Sequence, residues 1–337
     1  MFGSSPVRIL PFFAIGLGLS AHCVWAGNAF FSAEAKSVTF TPRIGIGFLY
    51  RLDVASGAVE KVLLKAPGAD SSVIALCRGG DGETLLATDK GVFVHDTKGT
   101  RKISELPVTT DYGIDGIAAA PAGMAGVGDW LFLSGQDPED QTRRILFARK
   151  PGGNGFRPIF CRRVNRVGDP VLTPDGRLFF SEGGDVWEGG IEPSEDGDSP
   201  IEGTLLGIRV APLGFLNTDG SNGGSMWVNE IMPAGKSIYV RLAGHHISEL
   251  VRVPLMAPID PSKELSTIDL YRRQAEVLAK AESIPVEVDQ IQIAAATDVG
   301  GEKVFYRGSH DGTKGLFIWE KTTGKTRKVG VEPDDEP

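Results

Sequence analysis

Cysteine is nearly absent: the 337 residues hold three, and only Cys77 and Cys161 lie beyond the first thirty. That excludes a disulfide-built scaffold, so apolar packing has to supply the stability. Cys77 reads as part of an innermost strand and Cys161 as part of an outermost one, a separation beyond the roughly 7 Å over which Cα atoms can be bridged. Positive charge is also short, with 35 Lys and Arg against 43 Asp and Glu and a formal net charge of −8. A chain so charged repels a phosphate backbone, which argues against nucleic acid as a partner. No Gly-x-Ser-x-Gly elbow, His-Glu-x-x-His pair or Gly-x-x-x-x-Gly-Lys run occurs, so no catalytic class is named by a motif.

Long apolar runs are missing too, except at the start. Arg8 precedes an apolar or small stretch from Ile9 to Ser20, and Val24-Trp25-Ala26 leads into Gly27. A run of about a dozen residues is short of the roughly 20 that cross a bilayer as a helix, and this order of parts is that of a secretory signal. The expectation is a signal peptide over residues 1–26, cleaved after Ala26, and an exported, periplasmic or extracellular protein with no transmembrane anchor once cleaved. An uncleaved anchor and a lipid-modified Cys23 remain as alternatives.

What is plentiful is glycine, 44 residues, with 21 prolines and 41% hydrophobic residues. Many tight turns in a well-buried chain mean many short strands. Alternating apolar and polar segments recur between the turns in sets. The clearest runs Asp169-Pro-Val-Leu-Thr-Pro-Asp-Gly-Arg-Leu-Phe-Phe-Ser-Glu-Gly-Gly-Asp-Val-Trp-Glu-Gly, which alternates strand, turn, strand, turn, strand. Equivalent sets start near Val73, Ile117, Ile231 and Ile291, and residues 48–64 supply the last two strands of a sixth, whose inner strands fall within 28–46. Such a repeat predicts an all-β fold, a six-bladed β-propeller of four-stranded antiparallel blades over residues 27–331, with an acidic tail at 332–337. At about 52 residues per blade, loops have to absorb the excess over a minimal repeat. Residues 193–203 and 254–267 are read as two such loops. Leu265, Ile268, Tyr271, Ala275 and Leu278 recur at helical spacing, yet Glu276-Val-Leu-Ala-Lys-Ala matches Lys61-Val-Leu-Leu-Lys-Ala, so residues 275–281 are expected to form an outer strand.

On the residues 173–180, Thr-Pro-Asp-Gly-Arg-Leu-Phe-Phe, the chain resembles six-bladed propellers of the TolB-like kind and their gluconolactonase-like relatives. The resemblance is in blade grammar, over residues 73–329. It implies the architecture, and the gluconolactonase-like relatives imply a glutamate metal ligand from the first blade for which this sequence offers no matching residue.

The inner strands carry the best candidate site. Asp115 stands two residues before Ile117, Asp169 two before Val171, Asn229 two before Ile231 and Asp289 two before Ile291, at separations of 54, 60 and 60; Asp70 precedes Val73 by three. One short oxygen-bearing side chain per blade beside the axis would suit a hard divalent cation such as calcium, with Glu182 as a further donor. The same residue types also cap loops entering strands. His245 and His246 are adjacent and point apart, His310 lies in a turn and His95 on a strand face. The stretch 196–202 lacks the third acid and the glycine of a calcium loop and reads as a solvated acidic loop. Trp130, Trp187, Trp227 and Trp319 are expected to pack between blades. The leading functional expectation is a non-catalytic module binding a protein, peptide or glycan; the alternative is a metal-dependent hydrolase or lactonase working at the mouth of the central channel.

Overall fold

In the computed structural model, residues 29–331 are described apart from 32–35, 43–45, 80–82, 108–113, 120–128, 141, 160–163, 165, 174–176, 190–207, 212–226, 244–247, 259–265 and 299–300. The signal segment 1–26, the tail 332–337, Cys161, the Pro-Asp-Gly turn, the acidic loop 196–202 and His245 and His246 therefore lie outside the described residues.

The strands alternate because each lies between two apolar layers. In β10 (Leu131–Gln136), Leu131 and Leu133 face one neighbouring sheet and Phe132 faces the other. Every sheet repeats this pattern, and six four-stranded antiparallel sheets result, each formed by consecutive strands. Blade 1 holds β1 (Ala29–Phe31), β2 (Ser37–Phe40), β3 (Phe48–Asp53) and β4 (Val59–Leu63); blade 2 holds β5 (Val73–Arg78), β6 (Thr84–Thr88), β7 (Gly91–Asp96) and β8 (Gly99–Ser104). Blade 3 comprises β9 (Ile114–Ala119), β10, β11 (Arg144–Arg149) and β12 (Arg157–Ile159), and blade 4 comprises β13 (Gly168–Leu172), β14 (Leu178–Glu182), β15 (Asp185–Gly189) and β16 (Ile208–Ala211). Blade 5 is β17 (Trp227–Ala234), β18 (Ser237–Ala243), β19 (Ser248–Pro254) and β20 (Glu282–Ile284); blade 6 is β21 (Glu287–Asp298), β22 (Gly301–His310), β23 (Thr313–Glu320) and β24 (Lys325–Gly330).

The first strands lie side by side in a closed cycle, β1–β5–β9–β13–β17–β21 and back to β1, which makes the molecule a six-bladed propeller. Six apolar clusters fill the six wedges between neighbouring blades. Among the described residues no strand from the chain end joins blade 1, and side-chain packing closes the ring: Phe31, Val38, Phe40 and Leu52 meet Phe305, Leu316, Ile318 and Val329. Arg307 adds a hydrogen bond from Nη2 to the Thr41 carbonyl at 3.3 Å. The seam is tight at Gly57, whose φ is +74° and where a Cβ would stand 2.7 Å from the Val329 carbonyl oxygen.

One element corrects the sequence reading. Residues 275–281 are no outer strand: Thr267–Lys280 is a helix, α1, and the fourth strand of blade 5 is β20. Ser266 caps it, its hydroxyl accepting from Asp269 N at 3.1 Å. The stripe visible in the sequence is largely the wrong face, since Ile268 and Tyr271 are 69% and 67% exposed. The buried face is Leu270, Arg273, Gln274, Val277 and Leu278, with Val277 and Leu278 in the wedge between blades 4 and 5. Polar anchors hold that face down. Gln274 donates to the Arg209 carbonyl at 2.9 Å and Arg273 to the Ala257 carbonyl at 2.6 Å. No helix among the described residues is long and apolar enough to cross a membrane.

Candidate functional site at the strand entries

Near its start, the first strand of each of blades 2 to 6 loses register with its neighbour. In blade 3, Gly116 faces Ser134 and Ile114 faces Gly135, leaving Asp115 between them without a partner. In blade 5, Val228 faces Leu242 and Glu230 faces Arg241, leaving Asn229. Blade 4 sets Asp169 and Pro170 against Phe180 alone, and in blade 6 the stretch Asp289–Gln292 faces Arg307 alone. Blade 2 has the same irregularity at Ile74. A bulge inserts a residue into the ladder, releases its backbone groups and re-aims its side chain. The four polar residues singled out from sequence thus occupy bulges in four consecutive blades, all at the same end of the ring.

The structure places Asp115, Asp169, Asn229 and Asp289 within β9, β13, β17 and β21, rather than ahead of them. Only the Asn229 side chain is among those described; it is buried at 4% exposure. With the amide set by its partners, Asn229 Oδ1 accepts from Arg241 Nη2 at 3.2 Å and Nδ2 donates to the Trp227 carbonyl at 3.3 Å. Arg241 is itself paired with Glu230, Nε to Oε2 at 3.0 Å, both side chains below one-tenth exposure. The pairing offsets the arginine's charge, so it opposes a bound cation weakly.

Asp70 does not join this set. It is exposed and its Oδ1 accepts from Gly68 N at 2.9 Å, which is the loop-capping role. Glu182 ends β14, opposite Asp185. Among the described residues, no three His, Cys, Asp or Glu side chains gather as a metal cluster. His95 is a strand residue bonded through Nδ1 to Thr100 Oγ1 at 2.8 Å, and His310 ends β22 beside Asp311. Cys77 is a free thiol. The residue as a whole is half-buried, but it packs against the wedge between blades 2 and 3, where burial pushes the thiol up to about 12. Trp130 and Trp319 pack between blades, whereas Trp227 is 53% exposed at the entry of β17.

Sequence reasoning missed Glu230, Arg241, Arg307 and the bulges themselves. A signal for the arginines was present. Ile238-Tyr-Val-Arg241 and Val304-Phe-Tyr-Arg307 place the same residue at the same point of the second strand in blades 5 and 6, opposite each bulge.

No protein-family model matches this chain, and no curated protein matches its sequence. Solved structures do. Regucalcin from Agrobacterium tumefaciens, described as a calcium-binding protein, is 13% identical with a TM-score of 0.51, over 87% of this chain and 84% of its own. A protein assigned as a gluconolactonase is 10% identical with a TM-score of 0.51, over 88% and 89%. Hydrazine synthase of Kuenenia stuttgartiensis is 12% identical with a TM-score of 0.51, over 94% and 98%. At such identities the likeness shows the fold alone.

Proposed function

We propose that this chain is a metal-dependent hydrolase of cyclic esters or related carbonyl compounds, with its site at the mouth of the channel where the bulged strands enter. The observation that carries this reading is the run of bulges at Asp115, Asp169, Asn229 and Asp289. The irregular backbone feature falls on a short oxygen-bearing residue in four of the five blades that carry it, Ile74 taking the place in blade 2, which is more than loop capping requires. The donor chemistry fits a hard divalent ion such as calcium, which takes six to eight oxygens: three carboxylates would be joined by carbonyls released from the ladder and by water. Asp115, Asp169 and Asp289 would hold the ion, which when bound supplies Lewis-acid polarisation of a carbonyl. Asn229, fixed by Arg241 and the Trp227 carbonyl, keeps its part of the rim rigid. A carboxylate of the ring accepts the proton of the attacking water. The calcium-binding description of regucalcin and the gluconolactonase assignment, on the same fold, support the reading.

Turnover of a lactone panel tests it. Activity should require a divalent ion, vanish with a chelator, and be lost in Asp169→Asn while the fold is kept. Absence of turnover with every ion tried would reject the hydrolase.

A second reading, a non-catalytic module for a protein, peptide or glycan, draws on the exposure of Trp227 on the same face. That face also holds a cleft of about 140 Å³ lined by Thr41, Pro42, Ile46, Gly47, Phe48, Ser72 and Val73. A pull-down from envelope material that recovers one partner, lost in Trp227→Ala, would favour it. Export with cleavage after Ala26 is part of both proposals, and a mature protein beginning at Gly27 is the expected result of amino-terminal sequencing.

A further inference from the structure

The charge of this acidic chain is unevenly spread. Residues 141–168 carry eight Arg or Lys and no Asp or Glu, while the rest of the chain carries 27 cations against 43 acids. Six of the eight are described: Arg143, Arg144, Arg149, Lys150, Arg157 and Arg166. Arg162 and Arg163 lie outside the described residues.

Topology draws the six onto the outer half of blade 3, along β11 and β12. Arg143 and Arg144 open β11 at the bulged end of the ring, and Arg149 and Lys150 close it at the other, about 20 Å away for a six-residue strand. Arg157 begins β12, the outermost strand of blade 3. The chain then returns, so that Arg166 bridges Arg144 and Val167 N donates to the Arg144 carbonyl at 3.0 Å. Arg157 and Arg166 are exposed and engage no carboxylate among the described residues.

Cations on an edge strand also discourage pairing with other chains. That explains Arg157, and Arg143 is ion-paired with the buried Asp137 at 3.6 Å, but neither reason covers Lys150 or Arg166, which stand outside β12. We propose that the outer edge of blade 3 is a docking surface for a linear acidic polysaccharide. Guanidinium groups, five of the six, match the paired oxygens of carboxylate and sulfate. None of the exposed large apolar side chains of the described residues lies on blade 3, so none of these would insert into a membrane there. Among the described residues, the aromatics of this edge are unsuited to stacking on bases: Phe156 is half-buried and Trp130 is buried beneath Lys150, whose Nζ is 5.5 Å from the ring. The acidic remainder of the surface repels a polyanion elsewhere and confines it to this edge.

The test uses the full mature chain and a fluorescent heparin oligosaccharide, with single-stranded DNA of equal charge and phosphatidylglycerol vesicles as parallel arms. The oligosaccharide should bind most tightly, with affinity falling as salt rises. Arg157→Glu with Arg166→Glu should weaken it by roughly tenfold or more, as loss of two ionic contacts implies. The control pair Lys325→Glu and Lys328→Glu on β24 should change it less than about twofold, since those charges lie on another blade. Melting temperatures of both variants should match the parent, as the four residues are exposed. No binding at low salt, tighter binding of DNA or vesicles, or an equal loss in the control would each overturn the proposal.

Discussion

Two buried arginine–glutamate pairs stand at opposite ends of blade 5, Arg252 of β19 with Glu302 of β22 and Arg241 of β18 with Glu230 of β17, and they do different work. At the far end, Glu302 of blade 6 reaches across the wedge to Arg252, Nε to Oε2 at 2.8 Å and Nη2 to Oε1 at 3.2 Å, and also receives the Tyr239 hydroxyl. Lys321 stands 3.6 Å away. At the bulged end, Glu230 and Arg241 belong to one blade, and the arginine spends its second contact on Asn229. One pair crosses an interface and is surrounded by partners; the other crosses nothing and steadies a bulge. The first belongs to the packing of blade 5 against blade 6, the second to the candidate site.

The comparison breaks most readily at Glu302. Glu302→Ala removes a partner from the Tyr239 hydroxyl and Lys321 at once and leaves Arg252 only the exposed Glu282, 3.6 Å away, and should cost about 4 kcal/mol in denaturant unfolding, within the range for breaking a buried pair. Glu230→Ala leaves Arg241 its Asn229 contact and should cost less, about 3 kcal/mol. If the order is reversed, the assignment of the two pairs is wrong.

Next in size is the helix. Val277→Ala should cost about 2 kcal/mol by emptying part of the wedge between blades 4 and 5, while Ile268→Ser on the exposed face should change stability by less than about 0.5 kcal/mol.

The smallest effects concern pH. Burial raises the Glu302 carboxyl, but the Arg252 and Tyr239 hydrogen bonds and the nearby positive charges outweigh it and hold it below its ordinary value. A carboxyl depressed in the fold contributes stability above its unfolded pKa and loses that contribution as pH falls through the folded one. The acid limb of the melting profile should therefore flatten in Glu302→Gln. For His95, burial and then the charge of Arg51 depress the imidazole against the opposing pull of Asp96. Protonation below about pH 6.5 should then cost stability, and His95→Gln should remove that small loss.

Much of the fold was legible because a propeller repeats itself. Alternation and turn glycines in blades 2 to 6 located nearly every strand, since each strand is squeezed between two apolar wedges and shows it in its sequence. Helix α1 was misread because its buried face includes Arg273 and Gln274, held by backbone carbonyls, while Ile268 and Tyr271 decorate the open face. Patterning by hydrophobicity fails where polar hydrogen bonds do the anchoring. For the candidate site, the spacing of Asp115, Asp169, Asn229 and Asp289 gave the positions. The bulges were hidden because register depends on the partner strand, which no single segment encodes.

Calcium titration of thermal unfolding reaches the central claim most directly. The account predicts that the parent gains about 2.7 kcal/mol at a hundredfold excess over the dissociation constant, and that Asp115→Asn, Asp169→Asn and Asp289→Asn each lose most of the gain while Asp70→Asn keeps it. An unchanged melting temperature with calcium and with every other divalent ion would contradict it.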